Sequence, residues 1–135
     1  MEYITGKHAL NITCSLLTCG DWHQSALQWH TPFTRNSEDS VFGDYGIETG
    51  KTIPEHAGEY NVANHIRALL DLLELGKFTL AQGMNKNFIC NDDYTTEVFD
   101  HAWKLRGAPH WNEIDRFMGK EYYAKWLEYK RGVSA

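Results

Sequence analysis

The chain has 135 residues, 42% of them apolar, and a formal net charge of −5, so we expect one domain with an aromatic-rich core. It has no run of about 18 apolar residues, and its N-terminus lacks the basic and apolar regions of a signal peptide, so we expect neither a membrane span nor a leader. The excess acidic charge lies within residues 1–60, where it would repel phosphate, so we predict no direct binding to nucleic acid.

The three cysteines, Cys14, Cys19 and Cys90, form an odd set without a CxxC pair. Disulfide frameworks use even numbers of cysteines, so we expect no disulfide and a location in the reducing cytoplasm. The seven histidines lack the close paired spacing of zinc ligands. We therefore predict no metal site and no cofactor.

The N-terminal third gives a strand pattern followed by a long stretch without periodicity. Apolar side chains alternate with small or polar ones at Leu10, Ile12, Cys14 and Leu16, which predicts a half-buried strand. A turn follows at residues 18–21. Residues 31–54 contain several Gly and Pro, so we expect a long loop there, with one short strand near residues 41–47.

The stretch GDWHQSALQWH, residues 20–30, admits two structures. Asp21 and Gln24 stand at the spacing of a capping box, and Trp22, Ala26 and Trp29 recur at helical spacing. We favour a short helix with both tryptophans facing the core. The alternative is a strand, in which one side is formed by His23, Ser25, Leu27 and Trp29.

Three helices are predicted after Pro54, which suits a first-turn position. The first carries apolar residues from Val62 to Leu73 and ends at Gly76. The second runs from about Asp92 to Arg106 and begins at a cap formed by Asn91 or Asp92. The third follows Pro109, with one stripe formed by Trp111, Ile114, Met118, Tyr122, Trp126 and Tyr129. Residues 77–90 are ambiguous between a short strand and irregular structure.

These elements predict an α+β fold in a single domain, residues 1–135. A strand- and loop-rich part, residues 1–53, with an N-terminal strand or hairpin, packs against a helical part, residues 54–131, that forms a bundle of about three helices.

His23, Asp21 and His8 are the candidate catalytic residues. Histidine titrates near neutral pH, and a neighbouring carboxylate can orient its ring for proton transfer. A pocket built around residue 8 and residues 21–30, with Asn64 and His65 nearby, would make the protein a small enzyme or a ligand-binding domain. The segment YGIETGKT, residues 45–52, resembles a phosphate-binding loop, but its first glycine is one position late, so we predict an ordinary turn.

A second set of candidates is aromatic and points to protein binding. Tyrosine and tryptophan are enriched at binding hot spots, and the candidate binding residues are Trp22, Trp29, Tyr122, Tyr123 and Trp126. The acidic residues between Glu38 and Glu59 add a surface that suits a basic partner.

The segments KHALNI, GDWHQSAL, NVANHIRALLD and IDRFMGKEYYAKW resemble a small uncharacterised bacterial family of short cytosolic proteins encoded among toxin–antitoxin or phage-defence genes. The resemblance spans nearly the whole chain and implies an antitoxin-like or accessory role, without catalytic residues. We therefore predict a small soluble cytoplasmic protein that acts through a protein partner. The His/Asp enzyme or ligand-binding domain is the alternative, and catalysis and self-association stay open.

Overall fold

The structure is a computed structural model that describes residues 1–134, apart from the side chain of Gln24. Within these residues the chain forms one mixed sheet of four strands. The strands are β1 (Glu2–Ile4), β2 (Thr34–Asn36), β3 (Ile47–Ile53) and β4 (His56–Ala63). Their order in the sheet is β2-β1-β4-β3. Strand β1 pairs antiparallel with β2 and parallel with β4, and β3 and β4 form an antiparallel hairpin.

The helices lie mostly in the C-terminal half, which confirms the predicted α+β class. They are α1 (Gly6–Ala9), α2 (His65–Glu74), α3 (Phe78–Ala81), α4 (Thr95–Ala102), α5 (Trp111–Tyr122) and α6 (Ala124–Ser134). Shorter 3₁₀ segments are Gln24–Leu27, Ser37–Asp39, Asp92–Tyr94 and Trp103–Gly107, and a π-helix covers Met84–Ile89. None of the helices described has the length and apolar character needed to cross a membrane.

Helix α2 lies at the centre of the core. Every residue from its start to Leu73 is buried, because the sheet and the other helices cover it on all sides. The Asn64 side chain caps its N-terminus by accepting a hydrogen bond from Arg67 N (2.8 Å). Gly76, at φ +75°, ends it as predicted, and the N–H groups of residues 76 and 77 bond back to carbonyls of the last turn.

A charged network is enclosed in this core around Asp71. Its four donors are the Tyr3 hydroxyl (2.7 Å), the Thr5 hydroxyl (2.7 Å), Arg35 Nη1 (2.8 Å) and Arg67 Nε (2.9 Å). Asp71 and Arg67 are fully buried, and Arg67 also donates to the backbone carbonyls of Gly43 and Tyr45. The network joins α2 to β1, β2 and the loop before β3, so buried charge fixes how the sheet sits on the helix.

The predicted strand at residues 10–16 is wrong. Leu10, Ile12 and Cys14 are buried as expected, but Asn11 is buried with them, so the alternation does not separate two faces. The segment follows α1 as a series of turns, with Asn11 N and Ile12 N bonding back to residues 8 and 9. Thr13 and Ser15 are exposed, so the alternation of burial holds over residues 12–15 although the backbone forms turns there.

The boundary at residue 54 and the loop before it are also corrected. Residues 31–54 contain β2 and β3, the first strand of the hairpin, and β4, rather than the start of a helix, occupies residues 56–63. Pro54 lies in the turn between β3 and β4. The predicted strand near residues 41–47 falls mostly on turns, and only Ile47 belongs to β3.

The two later helical predictions are confirmed, with one interruption. Helix α4 lies within residues 92–106, and the Asn91 side chain caps the 3₁₀ turn before it. The third helix divides at Tyr123, where φ is +52°, into α5 and α6. The ambiguous residues 77–90 form α3 and the π-helix.

The structure contains a disulfide between Cys19 and Cys90, 71 positions apart in the sequence. The expectation of no disulfide is therefore wrong. The odd cysteine count arises because Cys14 stays a free, buried thiol. Spacing gave no sign of the pair, since the fold alone brings the two residues together.

Candidate functional site

One open cleft of about 530 Å³ brings together the three side chains proposed for acid–base chemistry. His8 lines it from α1, while Asp21 and His23 line it from the residues just before the 3₁₀ turn. Lys7 and Trp29 also border the cleft. A small polar molecule would thus meet two imidazoles and a carboxylate on one surface. Whether they catalyse a reaction stays a prediction.

The backbone of residues 20–23, here called the site segment, is tied to the fold by hydrogen bonds from its N–H groups. These run from Gly20 to the Phe88 carbonyl (2.9 Å), from Asp21 to the Leu10 carbonyl (2.8 Å) and from His23 to Asn11 Oδ1 (2.6 Å). Gly20 has φ +69°, and a Cβ there would lie 2.7 Å from the ring of His65. Glycine is needed at this position because the segment passes directly against α2.

His23 and Asp21 form an ion pair at the mouth of the cleft. His23 Nε2 lies 3.0 Å from Asp21 Oδ1, and the two side chains are 73% and 32% exposed. The carboxylate fixes Nε2 as the donor nitrogen, so Nδ1 is the ring position that can exchange a proton with a ligand. Exposure makes this pair weak as a stabilising contact.

The predicted capping box is wrong, because the 3₁₀ turn begins at Gln24 with His23 in the cap position and no side-chain cap. Asp21 instead carries the ion pair. The Gln24 side chain, the other half of that prediction, lies outside the described part of the structure. Neither an α-helix nor a strand forms here. A single 3₁₀ turn replaces the helix that we favoured.

His8 has a different hydrogen-bonding role from His23. Its Nδ1 accepts from the backbone N–H of Phe33 (2.8 Å), which leaves the proton of the neutral ring on Nε2. Burial, with a smaller contribution from the positive charge of Lys7, lowers the pKa of His8 below its usual value. His8 therefore stays neutral near pH 7 and can donate from Nε2.

Trp22 and Trp29 were expected to face the core, but neither is fully buried. Trp29 is half-buried and stacks on His56, with ring centroids 4.2 Å apart, and contacts His8 at 5.0 Å. Trp22 is 57% exposed. Its ring borders two further cavities, of about 560 Å³ and 220 Å³, that share Asn11 and Leu27 with each other. Trp22 and Trp29 thus both lie on surfaces that a ligand can reach.

The C-terminal binding candidates are placed differently. Trp126 and Tyr122 are buried, and Phe99 packs against both rings at 5.1 Å and 4.9 Å. The Trp126 indole N–H donates to Asp115 Oδ1 (2.8 Å). A partner cannot contact these two aromatic rings on this surface, so both are removed from the candidate binding residues. Tyr123 is the exception, at 64% exposed.

The sequence did not identify a buried cluster behind the site segment. His65 Nε2 donates to the Ile12 carbonyl (2.8 Å), so Nδ1 of the neutral ring accepts from the Thr18 hydroxyl (2.7 Å). Cys14 Sγ lies 3.7 Å from the same hydroxyl. Burial is the largest single influence on the Cys14 thiol and opposes its ionisation, but the side chain and backbone of His65 and the backbone of Leu16 together outweigh it and lower its pKa to about 7. His65 was expected near the cleft, yet it faces this cluster.

The phosphate-loop-like segment has a structural role. Lys51, in the phosphate-loop-like segment, lies in β3 and donates to the Thr13 carbonyl (2.6 Å) and Glu48 (2.8 Å). No helix N-terminus follows it, so the segment is not a phosphate loop. Within residues 1–134, no three His, Cys, Asp or Glu side chains are grouped closely enough to hold a metal ion.

Comparisons with protein-family models, with curated proteins and with solved structures give no match to this chain. The function therefore has to be argued from the residues of the site.

Proposed function

We propose that the protein binds a small polar molecule in the cleft formed by His8, Asp21 and His23, and that His23 exchanges a proton with it. The observation that supports this is the pair of unlike histidines on one surface. His8 is held as a neutral donor, whereas His23 has an oriented ring with one nitrogen free for proton transfer. This is the alternative function that the sequence predicted.

The chemistry of the lining indicates the kind of ligand. His8 offers a neutral N–H, and Lys7 adds a positive charge beside it, so an anionic or carbonyl oxygen is the group that this end of the cleft would hold. Asp21, in the same cleft, is engaged with His23. A proton released or taken up next to that oxygen would pass through His23, and Asp21 would stabilise the charged imidazole.

The proposal is tested by NMR titration of the labelled protein with acetate, inorganic phosphate and glucose. We expect saturable shifts with acetate or phosphate at the Phe33 amide, which reports on His8, and at the ring signals of His23. His23→Gln should weaken binding, whereas His30→Gln, an exposed histidine seven residues away, should leave it unchanged. Shifts of equal size in both variants, or none that saturate with either anion, would contradict the proposal.

The predicted interaction role is the second candidate. Tyr123 and Leu127 are 64% and 48% exposed at the start of α6, and Lys86 lies 5.8 Å from the Tyr123 ring centre. This small aromatic and apolar surface supports a partner better than the buried Tyr122 and Trp126 do. Affinity capture from the bacterial host that the resemblance implies, repeated with Tyr123→Ala/Leu127→Ala, should lose the partner in the variant. Light scattering of the purified protein measures self-association.

The cytoplasmic, antitoxin-like setting belongs to the same resemblance and stays a proposal. The Cys19–Cys90 disulfide bears on this location, because the cytoplasm is reducing and disulfides are rare there. Trapping of free thiols with an alkylating agent at cell lysis, followed by mass spectrometry, tests it. A pair that is partly reduced in cells fits the cytoplasm, and a fully oxidised pair contradicts it.

A further inference from the structure

The Cys19–Cys90 disulfide is joined directly to the site segment. Cys19 is the residue before Gly20, and Cys90 follows the π-helix whose Phe88 carbonyl accepts the Gly20 N–H (2.9 Å). The disulfide and this hydrogen bond are therefore adjacent connections between the same two pieces of chain. One covalent bond holds the end of the segment that carries Asp21 and His23.

Both cysteines are open to solvent, which is not typical of a disulfide that only supports a core. Cys19 and Cys90 are each exposed, so an attacking thiolate can reach either sulfur. Cys90 also has φ +43°, a left-handed backbone conformation that is unfavourable for a residue with a side chain.

We propose that Cys19–Cys90 is a reversible redox site, acted on by a protein dithiol of the disulfide-reductase kind. One thiolate of the reductant attacks a sulfur of the pair, which forms a mixed disulfide and expels the other cysteine as a thiolate. The second thiol of the reductant then displaces the protein cysteine. The pair gains two electrons and two protons, and the reductant becomes a disulfide.

Reduction changes the cleft because it releases the end of the site segment at Cys19. The Gly20 hydrogen bond to Phe88 then lacks its covalent neighbour, while Asp21 and His23 keep their backbone hydrogen bonds to Leu10 and Asn11. The reduced protein should hold the Asp21–His23 pair less firmly against His8. The effect on ligand binding rests on the proposed function, whereas the reversibility of the disulfide does not.

The test uses the full chain with dithiothreitol as the dithiol probe. Alkylation in denaturant followed by mass spectrometry counts the free thiols across a series of reduced-to-oxidised dithiothreitol ratios. We expect one free thiol, Cys14, in the oxidised protein and three after reduction, with full recovery on reoxidation. Three thiols under every ratio, or one under every ratio, would overturn the proposal.

Amide hydrogen exchange on the same samples tests the effect on the site segment. We expect exchange at the Gly20 amide to become about tenfold faster on reduction, with the Leu69 and Leu70 amides of α2 unchanged as the measure of an intact fold. Cys14→Ala is the matched control and should give the same response. Unchanged exchange at Gly20 in a reduced, folded protein would show that the disulfide does not control the segment.

These readouts separate the two proposals. Reversible reduction with faster exchange at Gly20, but no anion binding in either state, would leave the redox site standing and refute the ligand cleft.

Discussion

Replacement of Asp71 by asparagine should destabilise this fold strongly. The carboxylate is fully buried, and each of its oxygens accepts two hydrogen bonds, Oδ1 from two arginines and Oδ2 from two hydroxyls. An asparagine offers one acceptor oxygen and one NH₂ group, so one pair of donors loses its acceptor whichever way the amide points. The arginines also lose a buried negative charge.

The expected loss of unfolding free energy depends on which hydrogen-bond acceptors Arg35 and Arg67 retain in the Asp71→Asn variant. Removing one partner of a buried ion pair costs about 3–5 kcal/mol. Arg67 retains the backbone carbonyls of Gly43 and Tyr45, and Arg35 retains Glu74, so we expect the lower part of that range, about 3–4 kcal/mol. Glu74→Gln is the matched control. Glu74 is partly exposed and accepts hydrogen bonds from Arg35, Ser40 and the Val41 N–H. Glu74→Gln should therefore lower the free energy of unfolding by only about 1–1.5 kcal/mol.

Urea denaturation followed by circular dichroism measures both variants, with the free energy of unfolding extrapolated to water. The dependence on urea should stay the same, because the surface exposed on unfolding does not change. If Asp71→Asn lost less than about 1 kcal/mol, or no more than Glu74→Gln, the reasoning that buried charge fixes the sheet on α2 would be refuted.

Three further predictions concern the site segment and its surroundings. Asp21→Ala and Asp21→Asn should each lower the unfolding free energy by less than about 1 kcal/mol, because the Asp21–His23 pair is exposed. A larger loss in the alanine variant alone would indicate that Asp21 caps a helix after all. The double variant Cys19→Ser/Cys90→Ser should lower the unfolding free energy by about 4 kcal/mol, because the disulfide closes a long loop and so restricts the unfolded chain. A urea midpoint equal to that of the native protein would contradict this. The folded-state pKa of Cys14, about 7, lies below its usual value of about 9, so its stabilisation is complete above pH 9 and disappears as the pH falls through 7. The difference in unfolding free energy between the native protein and Cys14→Ser should therefore rise from pH 7 to pH 9. A difference that stays constant over this range would contradict the lowered pKa of Cys14.

The helical half of this fold could be predicted because its signals are local. Val98 and Ala102, or Ile114 and Met118, lie four residues apart, so one face of each helix is apolar in the sequence itself. Gly76 gave the end of α2 for the same reason. The break at Tyr123, where φ is +52°, has no such signal, because neither Gly nor Pro marks that position in the sequence.

The sheet could not be predicted in the same way. Strand β1 pairs with β4 across some sixty residues of sequence, at Ile4 and Val62, and no spacing reveals a contact of that kind. Much of β3 and β4 is exposed and polar, so the hairpin lacks the apolar alternation that identifies a strand. Residues 12–15 do alternate between buried and exposed positions, but in turns, so the same pattern wrongly predicted a strand there.

The site was predictable only in part. Asp21 and His23 are two positions apart, so their pairing could be inferred, and His8 joins them as proposed because α1 returns the chain to the same side. The hydrogen bond from Phe33 that distinguishes His8 from His23 depends on a loop 25 residues away. The Cys19–Cys90 pair likewise depends on the folded arrangement, and a cysteine count cannot provide it.

The irregular pairing of β3 with β4 has a consequence for solubility. Strand β3 is an outer strand of the sheet, and its register shifts between Glu48 and Lys51 and again between Lys51 and Ile53. The opposite outer strand, β2, is three residues long. Neither border therefore offers the long, regular row of backbone groups onto which strands of another copy could add. The irregular register of β3 and the shortness of β2 thus disfavour growth of this sheet by addition of strands from other copies.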